Sequence, residues 1–133
     1  MTKVRCILHN MASEEYQLST FTNGKSEITL TLFNQFINEF AKVGSVEVVP
    51  LKSMIAMDNG HRRIAWITQL GKNFVHVVFP FKQEYADNLC FQKIAQVPGQ
   101  QQYNHHLRLF NLNDINEEVR GFMRLAYQEE NAL

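Results

Sequence analysis

At 133 residues the chain fits one domain, long enough to bury a core without disulfides or structural metals. Thirteen Lys and Arg against thirteen Asp and Glu leave no net charge, which excludes a whole-molecule field for nucleic acid or anionic lipid but leaves room for a local basic patch. With 45% hydrophobic and 20% charged residues, no membrane-length apolar run and no signal-peptide pattern over residues 1–10, an ordinary globular protein in the cytoplasm is expected.

Residues 1–22 read as an N-terminal extension of uncertain structure, ahead of a single compact domain over residues 23–133. Val4, Cys6, Ile7 and Leu8 suit a short strand, and Ser13-Glu14-Glu15 suits the opening of a helical turn. Asn23-Gly24 signals a turn. Ser26 is then a natural N-cap, with Glu27 placed for the helix dipole. Ile28, Leu32, Phe33, Phe36, Ile37 and Phe40 follow at spacings of three and four, the apolar stripe of a helix over residues 27–43. Thr29, Asn34, Asn38 and Glu39 fall off that stripe. Gly44 suits the position after the helix, and the stripe itself reads as core. Val46 to Val49 is β-prone, and Pro50 places it at a strand end or sheet edge.

Residues 52–79 read as three antiparallel strands. Asn59-Gly60 suits a two-residue turn with positive φ at both positions, and Gly71-Lys72 one with positive φ at the first. These turns pair Asp58 with His61 and Ile55 with Ile64, then Thr68 with Val75 and Trp66 with Val77. Directly paired residues share a face. One face therefore collects Ile55, Met57, Ile64, Trp66, Val75, Val77 and Phe79, and is the expected core. The other collects Lys52, Met54, Ala56, Arg63, Ala65, Ile67, Phe74, His76 and Val78. Pro80 ends the third strand, and residues 82–88 form a polar connection.

Residues 90–97 and 103–110 suggest a further hairpin across Pro98-Gly99, a type II turn signal, with His105 towards the core and His106 outward. The last element is a helix over residues 112–128. Asn111 caps it, Asp114 completes a capping box, and Glu117 and Glu118 favour its start. Ile115, Val119, Phe122 and Ala126 form its stripe. Gly121 costs about 1 kcal/mol relative to Ala inside a helix, which suggests close packing on the sheet. The fold class is α+β, two-layer: an antiparallel sheet of about five or six strands with two main helices packed on one face.

Several stretches run in order: Val43-Gly44 closing the first helix, Pro50, Lys52-Ser53-Met54-Ile55-Ala56, Arg62-Arg63-Ile64-Ala65-Trp66, and His105-His106-Leu107-Arg108-Leu109. Asp114 and Ala126-Tyr127 follow in the closing helix. In these the chain resembles a bacterial family of domains of unknown function (domain of unknown function 5655-like), over roughly residues 16–128. The resemblance implies a compact α+β domain and no established activity. Gln100 to Gln102 and the N-terminal extension depart from the family pattern.

The chemical motifs are sparse. His105 and His106 point to opposite faces and cannot chelate one metal together; a site using His106 and His76 needs a third ligand. Glu47 and Lys52 are too far apart for a Glu-x-Lys nuclease strand. No glycine-rich phosphate loop or nucleophile elbow is present, and Cys6 and Cys90 read as reduced buried thiols. His61, Arg62, Arg63 and Lys72 read as solvated charge at strand ends, so nucleic acid is not the expected partner.

Two helices are too few to cover both sides of such a sheet. The uncovered side is expected to carry Lys52, Met54, Arg63, Ile67, His76, His106 and Arg108, and an apolar face rimmed by cations fits a partner or ligand. The expected function is a non-catalytic binding or protein-interaction module, with no catalytic residue, metal ligand or cofactor assigned and no membrane partner. The alternatives are an enzyme or metal-binding protein using His76, His106 and Arg108, and a nucleic-acid-associated protein. Either residues 1–22 lie across the face, or a homodimer buries Met54, Ile67, Phe74 and Val78 there.

Overall fold

The structure, a computed structural model, describes residues 4–6 and 16–129. In chain order it contains β1 (Val4–Cys6), α1 (Leu18–Thr22), α2 (Glu27–Val43), β2 (Val46–Pro50), β3 (Ile55–Asp58), β4 (Arg63–Gly71), β5 (Phe74–Phe81), β6 (Lys93–Gln96), β7 (Tyr103–Leu109), a 3₁₀ turn (Leu112–Asp114) and α3 (Glu117–Gln128). The strands form one sheet in the order β1-β2-β3-β4-β5-β7-β6. Strands β2 to β7 are antiparallel, and β1 joins the edge parallel to β2. The mixed α+β class with an antiparallel sheet is thus present. From residues 1–22 it takes an edge strand and α1, whose Leu18 and Phe21 pack against the core. The expected helical turn at 13–15 lies outside the described residues.

Both long helices sit on the same side. Helix α2 contacts β1, β4 and β5, while α3 contacts β4, β5 and α2. Ser26 caps α2 by accepting from the Thr29 N–H at 3.2 Å, and Leu32, Phe33, Phe36, Ile37 and Phe40 are buried as the stripe requires. Three members of the helix depart from the expectation. Ile28 is half exposed, because the first turn overhangs the packed region. Thr29 is fully buried: its hydroxyl donates to the Gly71 carbonyl at 2.7 Å and accepts from the Asn73 N–H at 2.9 Å, pinning the β4–β5 turn to the helix. Glu39 is buried between α2 and α3, held by Arg120 and Lys42 at 3.1 Å each and by Gln35 at 2.9 Å. Burial raises the Glu39 carboxyl, but these hydrogen bonds and cations outweigh it and leave its pKa lowered.

Gly44 ends α2 in an extended conformation, and a side chain there would strike the Tyr127 ring, so close approach explains the glycine. The Asn111–Asp114 capping box is present but closes only the 3₁₀ turn; α3 proper starts under a second cap, Asn116, at 3.0 Å from the Val119 N–H. Gly121 lies in open space instead of against the sheet, with only Arg124 near a notional Cβ, which corrects its expected packing role.

Both expected hairpin registers are overturned. The first turn centres on Gly60-His61, with Asn59 N–H bonded to the Arg62 carbonyl, because the Asn59 side chain caps the turn and also donates to the Tyr127 carbonyl at the end of α3. The second centres on Lys72-Asn73, where Asn73 takes a positive φ of 65°. Sliding a turn by one residue changes partners but preserves face sharing. What changes the faces is one irregularity in each hairpin. Asp58 pairs with Arg63 but Met57 with Ala65, and Ile67 pairs with Val77 but Gln69 with His76. Each extra residue, Ile64 and Thr68, reverses the alternation of β4 beyond it. Consequently β3 and β5 present the expected faces, and β4 keeps them at Arg63 and Ile64 and from Gln69 onward but reverses them over residues 65–67. Ala65 and Ile67 are in the core, and Trp66, paired with Ala56 and Val78, lies on the other side from Val77.

The helix-covered face is aromatic. Phe36 and Phe40 meet edge-on at 5.3 Å and both touch Phe79, while Phe81, Tyr85, Phe91 and Phe122 gather around His105 at the other end. The connection after β5 is therefore only partly polar, since it delivers Tyr85 and Phe91 to the core. Burying each such ring contributes roughly 1.5–3 kcal/mol, which makes this face the main source of stability.

Candidate functional site on the open sheet face

Neither α2 nor α3 covers the opposite face. The registers place a row of residues across it: Val49, Ala56, Trp66, Val78, His106 and Lys93, each paired with the next. The adjacent row is Gln69, His76 and Arg108. His76 on β5 and His106 and Arg108 on β7 are therefore neighbours by strand pairing alone, and their side chains are joined.

The joining has a direction. Arg108 Nε donates to His76 Nδ1 at 3.0 Å, and His76 Nε2 lies 2.9 Å from His106 Nδ1. A guanidinium only donates, so His76 Nδ1 is an unprotonated acceptor and the neutral ring carries its hydrogen on Nε2. That hydrogen points to His106 Nδ1, which leaves the outer nitrogen of neutral His106, Nε2, as a donor. Arg108 also lies over the Phe74 ring, 4.6 Å from its centroid, and Phe74 packs against Phe110 at 5.9 Å. The aromatic wall fixes the guanidinium while its Nη groups find no acceptor among the described residues.

Electrostatics follow from the same geometry. The pKa of His76 is lowered by burial first, then by the positive surroundings of His106, Arg108 and Lys93. His106 is lowered by burial and by Lys93. Among the described residues no carboxylate contributes to either histidine, and the charged groups facing the pair are cations.

The other expected members of the face are placed differently. Ile67 is buried in the core, 1% exposed, a correction that follows from the Thr68 and Ile64 irregularities. Val78 is also buried, so the apolar area open to a twofold contact is smaller than expected. Lys52 and Met54 lie in the β2–β3 connection, closed by the Leu51 N–H to Met54 carbonyl bond, and not beside the histidines. Arg63 is on the open side but pairs with Asp58 at 3.7 Å. It borders a cleft of about 260 Å³ with Arg62, Trp66, Pro80, Lys82, Gln102 and Glu129. Trp66 and Lys93 escaped the sequence reading. The bulges hid the first, and the second needed the β6–β7 register that sets Lys93 opposite His106.

A metal fits the cluster poorly. Both His76 nitrogens and His106 Nδ1 are engaged, and no group of three His, Cys, Asp or Glu suited to a metal occurs among the described residues. His105, across the sheet, is fully buried: Nδ1 donates to the Tyr103 carbonyl at 2.8 Å and Nε2 accepts from the Tyr85 N–H at 3.0 Å. Burial pushes the Cys90 thiol up to about 12, with Glu118 adding to the effect, so this cysteine is a poor nucleophile. No helix among the described residues is long and apolar enough to cross a membrane. Comparison with family models, curated proteins and solved structures gives no match.

Proposed function

We propose that the protein is a non-catalytic binding module that holds an anionic partner on its open sheet face. The observation that carries this is a concentration of donors: Arg108, His106 and Lys93 side by side on β7 and β6, with no carboxylate facing them among the described residues. Donors left together on a half-apolar face suit a ligand that supplies the missing acceptors. Trp66 and Phe74 provide apolar contact beside the charge. Charge complementarity favours an anionic partner over a second copy of the chain that sets the β5–β7–β6 cations against themselves.

The chemistry argues against catalysis at the histidines. A general base needs an available lone pair, and His76 has both nitrogens committed while His106 exposes only a donor in the neutral chain. The test is a backbone-amide NMR titration of the full chain against small anions, nucleotides and acidic peptides. Shifts confined to β4, β5, β7 and β6 are expected. Shifts confined to α2 and α3 would overturn the reading, and turnover lost on replacing His106 would favour the enzyme alternative.

A further inference from the structure

Resting on that reading, we infer that Arg108, His106 and Lys93 form a site for a phosphoryl group, and that its occupancy draws a proton onto the His76–His106 pair. Three donors stand on neighbouring strands. His106 and Arg108 are two residues apart on β7, and Lys93 sits opposite His106 on β6. That is about 7 Å along the strand and about 5 Å across it, within reach of side chains of this length. A carboxylate offers two oxygens, whereas a phosphoryl group offers three and suits all three donors at once.

Proton coupling follows from the direction of the chain. With Arg108 donating to His76 and His76 donating to His106, an extra proton has no vacant inner nitrogen and must break one of the two bonds. Among the described residues the groups facing the pair are Arg108 from β7, Lys93 from β6 and the neutral Gln69 from β4, so the two cations also repel that proton. A bound dianion cancels the two positive charges of Arg108 and Lys93. The imidazolium form then becomes favourable, His76 can release Arg108 Nε, and the guanidinium gains a donor for the ligand. Binding is therefore tighter at lower pH, by up to about tenfold per pH unit for each proton taken up.

The test uses the full chain with inorganic phosphate, O-phosphoserine and acetate as probes, followed by the imidazole carbon resonances and by calorimetry in buffers of different ionisation enthalpy. Inorganic phosphate is expected to move His76 and His106 but not His105 and, once its own protonation over the range is subtracted, to bind with proton uptake and to tighten per dianion between pH 7.5 and 5.5. O-phosphoserine binding more tightly than phosphate would indicate a phosphorylated side chain as the source; equal binding would indicate free phosphate. Arg108→Gln and Lys93→Gln should each weaken binding about tenfold or more while the His105 resonances keep their folded positions. Acetate matching phosphate, binding without proton uptake, or full affinity in both variants would overturn the inference. If other anions perturb the open face while phosphate leaves the histidines untouched, only this inference falls. A face that responds to no anion removes the binding-module reading with it.

Discussion

His105 and His106 are adjacent in β7, yet the fold uses them differently. On the covered face His105 has both ring nitrogens bonded to backbone groups and stands among Phe81, Tyr85 and Phe91. On the open face His106 ends a chain of side chains that begins at Arg108 and stops at a donor with no partner among the described residues. One residue of strand alternation separates a histidine that closes a hydrogen-bond account from one that leaves it open. The contrast extends across the sheet: the covered side is aromatic, and the β5–β7–β6 end of the open side carries cationic donors that find no acceptor among the described residues.

The strongest test of this contrast is a charge on each side of β4. Ile67→Glu places a carboxylate in the core and should cost more than about 4 kcal/mol, enough to abolish cooperative unfolding near room temperature. Trp66→Glu should retain the native far-UV circular dichroism and a single thermal transition. A tolerated Ile67→Glu would mean that the β4 faces are reversed.

Next in size is the histidine pair itself. His105→Ala strands the Tyr85 N–H and the Tyr103 carbonyl inside the aromatic cluster, with an expected loss of about 3 kcal/mol in urea unfolding. His106→Ala removes one side-chain bond at a half-buried site and should cost at most about 1 kcal/mol. Equal losses would erase the distinction drawn between the two faces.

Acid should distinguish the faces more gently. His76, His105 and His106 all have lowered pKa values in the folded chain, chiefly through burial, against an ordinary value of 6.5. Between the folded and unfolded pKa values the unfolded chain binds more protons, so this stability is complete above about pH 6.5 and declines as pH falls below it. The slope of unfolding free energy with pH should flatten in a His76→Gln, His106→Gln double variant, with His105 among the groups that supply what remains. The smallest effect expected is that of Arg108→Gln, within about 1 kcal/mol of wild type. By removing a cation beside His76 it should move that histidine's titration upward, seen in its imidazole resonances, while His105 stays unchanged.

Much of this was readable from local chemistry. The limits of α2, its Ser26 cap, the Asn111–Asp114 box, the antiparallel pairing and the opposite orientations of His105 and His106 all depend on residues close in sequence, and all are present. The Pro98-Gly99 turn belongs with them: Gln100 N–H bonds the Val97 carbonyl and Gly99 has the positive φ, 75°, that such a turn requires. His76, His106 and Arg108 were also assigned correctly to one face, because β5 and β7 run without irregularity over that pairing.

Tertiary structure decided the rest. The first turn moved because Asn59 and Arg62 bind the carbonyls of Tyr127 and Ala126, and the second is held by Thr29, all contacts between residues far apart in the chain. The two irregularities in β4 leave no local mark, since a strand of Ile, Ala, Trp and Thr can present either side to a core. Which side wins depends on the helices that arrive to cover it. Trp66 thus faces outward and Ile67 inward, and Lys93 reaches His106 only because β7 inserts between β5 and β6. Periodicity along one strand sets which residues go together; the packing of the other elements sets which of the two groups is buried.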